Sequence, residues 1–224
     1  MRQSPPLMAI ALVMAVATAS AADWSFAQEQ WKTSASPDAE VAFAGGEAVI
    51  TAKRGRRVVL ERPIDLDGDD EEPLIISCAL SVQGDQALVK APMTLALRWP
   101  DAVVAVGILE VRGNERNSVA RWRLGTEFGS ELDRTPLDGG LYFNFARILL
   151  TSRDVTLSTS EDGLAWRKVA SLPRSGPLAT RPMQVLLGAG WGGQGNLDIG
   201  SDAEPVPDKG KDGNPPCTYR FAQI

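Results

Sequence analysis

The sequence predicts an all-β chain built as a two-sheet antiparallel β-sandwich. Short runs rich in branched and aromatic residues recur about every ten residues, as sandwich strands do. Clusters of Gly, Pro, Asn and Asp separate them, and no amphipathic helical pattern follows the N-terminal segment.

The chain opens on Met1-Arg2-Gln3-Ser4, continues with an apolar run from Leu7 to Ala17, and reaches small residues at Ala19, Ala21 and Ala22 before Asp23. This is the anatomy of a secretory signal peptide covering residues 1–22, with cleavage after Ala21 or Ala22. The apolar run falls short of the roughly 20 residues a spanning helix needs, so no membrane association is expected after cleavage. A secreted or periplasmic protein is implied, with residues 23–224 as one sandwich domain. About 200 residues bury on the order of 70% of their unfolded surface, enough to fold without staples.

Strands are expected at 47–53, 57–61, 74–82, 93–99, 103–112, 117–124, 141–151, 155–160, 165–170, 183–188 and 218–224. Residues 65–73, 125–140 and 200–216 read as loops. Alternation puts Leu74, Ile76, Cys78, Leu80 and Val82 on one inward face, and Cys217 with Tyr219 and Phe221 on another. The two cysteines are then either bridged across neighbouring strands or separate buried thiols; the sequence leaves both open. In the hairpin around Asn114-Glu115-Arg116-Asn117, the core side is assigned to Leu109, Val111, Ala120 and Trp122. That register sets Glu110 opposite Arg121, and Arg123 opposite Ile108. Asp162-Gly163 signals a tight primed turn.

The segment from Ala146 to Val169, with its kernel Ser160-x-Asp162-Gly163-x-x-Trp166, resembles a recurring hairpin of concanavalin A-like lectin/glucanase sandwiches. Ala48–Thr51, Pro182–Gly188 and Thr218–Phe221 look like the matching strands, so the likeness spans nearly the whole domain. It implies a curved jelly roll, in some relatives a sugar-binding face or a hydrolase cleft. The kernel also resembles the Asp-box of β-propellers, but it occurs once rather than blade after blade. Laminarinase-type relatives carry Glu-x-Asp-x-x-Glu on one strand. Glu131-Leu132-Asp133 starts that way, yet Pro136 stands where the second glutamate belongs.

Composition narrows the chemistry. The chain has no histidine, which removes Ser-His-Asp and Cys-His nucleophiles and every histidine metal site. With 23 basic and 28 acidic residues, no positive field exists to draw nucleic acid. A pair of carboxyl groups for glycoside hydrolysis remains open. Asp65, Asp67 and Asp69 offer oxygen ligands at alternate positions, as calcium loops do, although the run does not complete an EF-hand loop and reads better as a solvated inter-strand loop. Trp191, between glycines, is the tryptophan whose neighbours would leave its ring accessible, although a ring folded back over the sandwich end fits the segment better, while Trp24, Trp31, Trp99, Trp122 and Trp166 are expected in the core. Arg121 and Arg123, opposite Trp122 on their strand, and Glu110 complete the candidate ligand-binding residues. The reading that results is a non-catalytic module binding an extracellular glycan or protein surface. Its alternatives are a carbohydrate-active hydrolase or lyase, and a structural envelope protein.

Overall fold

Segments whose apolar side chains fall at every second position bury one face by pairing into sheets. A computed structural model of the chain describes residues 20–21, 26–27, 30–35, 39–53, 58–64, 73–83, 93–110, 115–138, 144–190 and 216–223. Its first strands are β1 (Ser20–Ala21), β2 (Lys32–Ala35), β3 (Glu40–Ala44), β4 (Glu47–Lys53) and β5 (Val58–Pro63). Next come β6 (Leu74–Gln83), β7 (Met93–Arg98), β8 (Ala102–Glu110), β9 (Glu115–Leu124) and β10 (Glu127–Asp138). β11 (Asn144–Leu150), β12 (Asp154–Ser160), β13 (Arg167–Pro173), β14 (Gln184–Ala189) and β15 (Pro216–Gln223) follow.

Two antiparallel sheets result, in the orders β13-β12-β11-β6-β15-β4-β3 and β10-β9-β8-β7-β14-β5-β2, with β1 adding a short parallel pairing to β6. The expected two-sheet sandwich is what the chain forms. Its core joins Leu74, Ile76, Cys78, Leu80 and Val82 of β6, and Cys217, Tyr219 and Phe221 of β15, to Leu95, Leu97, Val104, Val106, Ile108 and Leu187 of the other sheet. Both inward faces assigned by alternation are therefore correct.

The disulfide is not. β6 and β15 are neighbours, but Cys78 stands opposite Gln223 and Thr218 opposite Gln83, so Cys217 lies at the far end of the ladder. At about 3.4 Å per residue, the offset of some six positions is close to 20 Å, several times the reach of a disulfide. Neither cysteine forms a disulfide, and both are buried. Cys78 donates weakly to the backbone oxygens of Ala79 and Ala222, and burial pushes its thiol far above the ordinary range.

Three further expectations need correction. The loop expected at 125–140 is largely β10, a twelve-residue edge strand paired with β9. The β8–β9 register is Val104↔Trp122, Val106↔Ala120 and Glu110↔Arg116, five positions from the expected one. Leu109 therefore sits at a register position of opposite parity to Trp122, while Ile108 supplies the core side chain. The Asp162-Gly163 turn is a six-residue loop, not a tight primed turn, because β13 begins only at Arg167. Gly163 still takes the positive φ, +75°, that an unhindered backbone permits.

Candidate functional site: the outer face of the β9–β10 ribbon

Ala120 belongs to the core and Trp122 packs against it, so Arg121 and Arg123 project from the opposite, outer face of their sheet. β10 extends that face. Phe128 pairs with Arg123, Ser130 with Arg121 and Leu132 with Val119. Phe128 is 65% exposed and Leu132 44% exposed, the largest apolar side chains open to water on this face. Across the sheet, the row continues from Phe128 and Arg123 through Val103 to Arg98 and Gln184. Arg98 donates to Gln184 Oε1 at 2.7 Å and lies 3.5 Å from Glu61 Oε2. Between the arginines, Val59, Ala96, Val103, Ala105 and Leu186 form a small buried cluster. Arg123 donates to the Gly125 carbonyl at 3.3 Å, which fixes its stem along the β9–β10 turn. Burial holds Arg121 below the ordinary guanidinium range, although such a group stays charged at any physiological pH.

The acidic residues of β10 take the other parity. Glu127 and Glu131 pair with Leu124 and Ala120, and Asp133 with Ser118. Asp133 receives Arg167 of β13 at 2.8 Å, and Arg167 also donates to the Thr135 carbonyl at 3.1 Å, so one guanidinium clasps the edge strands of both sheets together. Burial alone would raise the Asp133 carboxyl, but hydrogen bonds from Thr135 and the charge of Arg167 outweigh it and hold the group below its usual range.

Beside this clasp a cleft of about 220 Å³ opens between Leu137 and the β12–β13 loop, lined also by Thr159, Ser160, Glu161, Asp162, Ala165 and Arg167. Asp162 Oδ1 accepts the backbone N–H groups of Leu164 and Ala165, both at 2.8 Å, and the Ser160 hydroxyl at 2.9 Å. Those bonds hold its carboxyl below the usual range. The Ser-x-Asp-Gly kernel is thus a loop brace. Its Trp166 lies on the outer surface of the other sheet, where Arg147 stacks 4.1 Å above the ring, rather than in the core. Trp31 and Trp99 are buried as expected. Beneath the cleft, Ser118 and Thr159 share a 2.6 Å hydrogen bond across the two sheets, and buried Arg116 donates to Asn144 Oδ1 at 2.7 Å.

The candidate residues read from the sequence thus separate. Arg121 and Arg123 fall together on the outer face of their sheet, each half-buried beside the Val103 and Ala105 cluster. Glu110 is at the far end of β8 opposite Arg116, so the expected pair with Arg121 does not form; Arg121 faces Ala105, and Arg123 faces Val103 rather than Ile108. Trp24, Trp191, Asp65, Asp67 and Asp69 lie outside the described residues. Phe128, Ser130 and Leu132 escaped the sequence reading with the strand that carries them, and their only signal was even spacing.

No family model matches the sequence, and no curated protein does. Solved structures do resemble it. A GH16 protein from a Bacteroides ovatus mixed-linkage glucan PUL, solved with a product, is 11% identical, with 89% of this chain and 97% of that one aligned at a TM-score of 0.54. The CBM2 module of the evolved Dit of Lactobacillus casei BL23 phage J-1 is 11% identical over 82% and 79% of the two chains, at 0.53. A functionally unknown protein from Saccharomyces cerevisiae is 12% identical over 87% and 94%, also at 0.53. At these identities the likeness shows the fold, and it fits the jelly roll that the β11–β13 hairpins resemble.

Proposed function

We propose that this chain is an exported, non-catalytic module that binds an extracellular glycan through the outer face of β9 and β10. The observation that carries the reading is Phe128, two-thirds exposed and paired with Arg123 on an otherwise ordered sheet face. An aromatic ring left in water beside a planar cation forms a platform for the apolar side of a sugar ring, with a hydrogen-bonding fork at its rim. That a CBM2 module and a GH16 protein share the sandwich supports a saccharide as the ligand.

Binding without turnover is favoured by the state of the carboxyl groups at the clasp and cleft. A glycosidase needs one carboxyl kept protonated near neutrality, by burial or a like charge. Asp133 and Asp162 are both driven the other way, toward the carboxylate. Hydrolysis is the second reading because Glu161 and Asp162 do line a cleft. Export rests on the leader at residues 1–22, whose removal takes the short β1 pairing with it, and N-terminal sequencing of the secreted or periplasmic product should begin at Ala22 or Asp23.

A glycan array run beside a reducing-sugar assay on mixed polysaccharides separates the readings. Binding without released sugar is expected, with Phe128→Ala weakening it about tenfold, the order of one stacked aromatic contact. Released sugar supports the hydrolase, and unchanged binding by the variant removes this face as the site.

A further inference from the structure

Independently of the β9–β10 ribbon, we infer that the outer face of the opposite sheet carries a second binding site, where Arg147 and Lys168 take the carboxylates of an acidic saccharide. Ala146 and Ile148 belong to the core, so Arg147 projects from the outer face of β11. Trp166 reaches the same face from the β12–β13 loop, and the guanidinium lies 4.1 Å from the centre of its ring. Val169 packs against the core, which turns exposed Lys168 outward beside them. One residue joins the two cations in the ladder, since Arg147 pairs with Ser158 and Ser158 with Lys168. Two strand spacings put their stems about 10 Å apart, a gap that two long side chains can close around one acid group.

Among the described residues, neither Arg147 nor Lys168 meets a carboxylate or a hydrogen-bond acceptor, whereas Arg220, further across the same face, is paired with Glu47 at 3.1 Å. Stacking on an indole occupies the flat of the Arg147 guanidinium and leaves its N–H edge, the fork that meets a carboxylate's two oxygens. It also fixes the plane of the group, so little side-chain entropy remains to be lost on binding. Burial draws Arg147 below the ordinary guanidinium range, as befits a cation that has given up water without gaining an anion. The Ser160-x-Asp162-Gly163-x-x-Trp166 kernel holds the platform in place. Its braced loop rests on Phe145, whose ring would lie 3.6 Å from a Cβ added to Gly163. A saccharide suits this face because hydroxyls flank the cations. Ser77 pairs with Arg147 on β6, and Thr156 and Ser171 form the next outward row, all at least partly open to water. Each can donate to or accept from a sugar hydroxyl.

The test measures, by calorimetry on the protein recovered after export, the binding of an oligouronate, its carboxyl-reduced neutral counterpart and an oligoglutamate of matched charge. The oligouronate should bind about tenfold more tightly than the neutral form at low salt, the order of one charge-assisted fork. That advantage should shrink as the Debye length falls from about 30 Å at 0.01 M to about 8 Å at 0.15 M. Arg147→Gln should abolish it, and Lys168→Gln, at an exposed position, should reduce it severalfold. Equal affinity for the two oligosaccharides, or an advantage untouched in both variants, overturns the site. An oligoglutamate that binds as tightly as the oligouronate overturns the saccharide assignment. Binding of the neutral form tests the β9–β10 face alone, so the two readings fail separately. The wild-type comparison and its salt dependence require no substitution, so a variant that fails to fold does not shelter the claim.

Discussion

Asp133 and Asp162 show how one carboxylate can do structural work in two ways. Asp162 is tied to its own loop, where its oxygen replaces strand partners for two backbone N–H groups. Asp133 reaches another element, pairing with Arg167 across the gap between sheets. Because the folded-state carboxyl of Asp133 is held below its ordinary value of 3.8, the stability it contributes is complete above about pH 4 and fades as acid approaches the depressed value. Thermal midpoints measured from neutral pH downward should therefore converge for wild type and Asp133→Asn in acid. At pH 7 the variant should be less stable by about 0.5–1 kcal/mol, the ordinary scale of a partly exposed pair. A constant gap at all pH values contradicts the clasp.

At the scale of strands, close approach dictates residue type. A Cβ added to Gly107 of β8 would sit 1.9 Å from the Met93 carbonyl oxygen of β7, and one added to Gly129 would meet the Trp122 ring at 2.3 Å. Gly107→Ala must push the β7 and β8 backbones apart and should cost about 1–3 kcal/mol in denaturant unfolding. Gly129→Ala displaces only a side chain at the sheet edge and should cost less. If Gly107→Ala proves neutral, the β7–β8 contact is looser than described. The same strands explain which elements were legible in the sequence. β4, β6 and β15 alternate cleanly, so their extents and inward faces could be read directly. β8 is buried on both faces from Ala102 to Ile108, leaving alternation no means of telling inside from outside, and its register was misplaced by five positions. β10 failed for the opposite reason. It is wet along most of its length and interrupted by Gly129 and Pro136, so its composition is that of a loop.

For the molecule as a whole, the two unbridged cysteines give a direct check. Both cysteines should alkylate under denaturing, non-reducing conditions, and reductant should leave the melting temperature unchanged. A mass corresponding to one intramolecular bridge would require a different β6–β15 register. Half of the candidate site was legible, since Arg121 and Arg123 follow from alternation around Trp122. The other half required knowing that β10 lies beside them, a tertiary pairing that no local pattern in 125–140 announces.

The irregularity in β10 bears on how copies of the chain meet one another. Arg134, Thr135 and Pro136 together stand opposite the single Asn117, and the proline brings no N–H to offer a newcomer. A second chain adding to this border would find its ladder broken after a few rungs, with charged neighbours to desolvate. Crowded molecules can thus approach one another at this border without zipping edge to edge into a fibre.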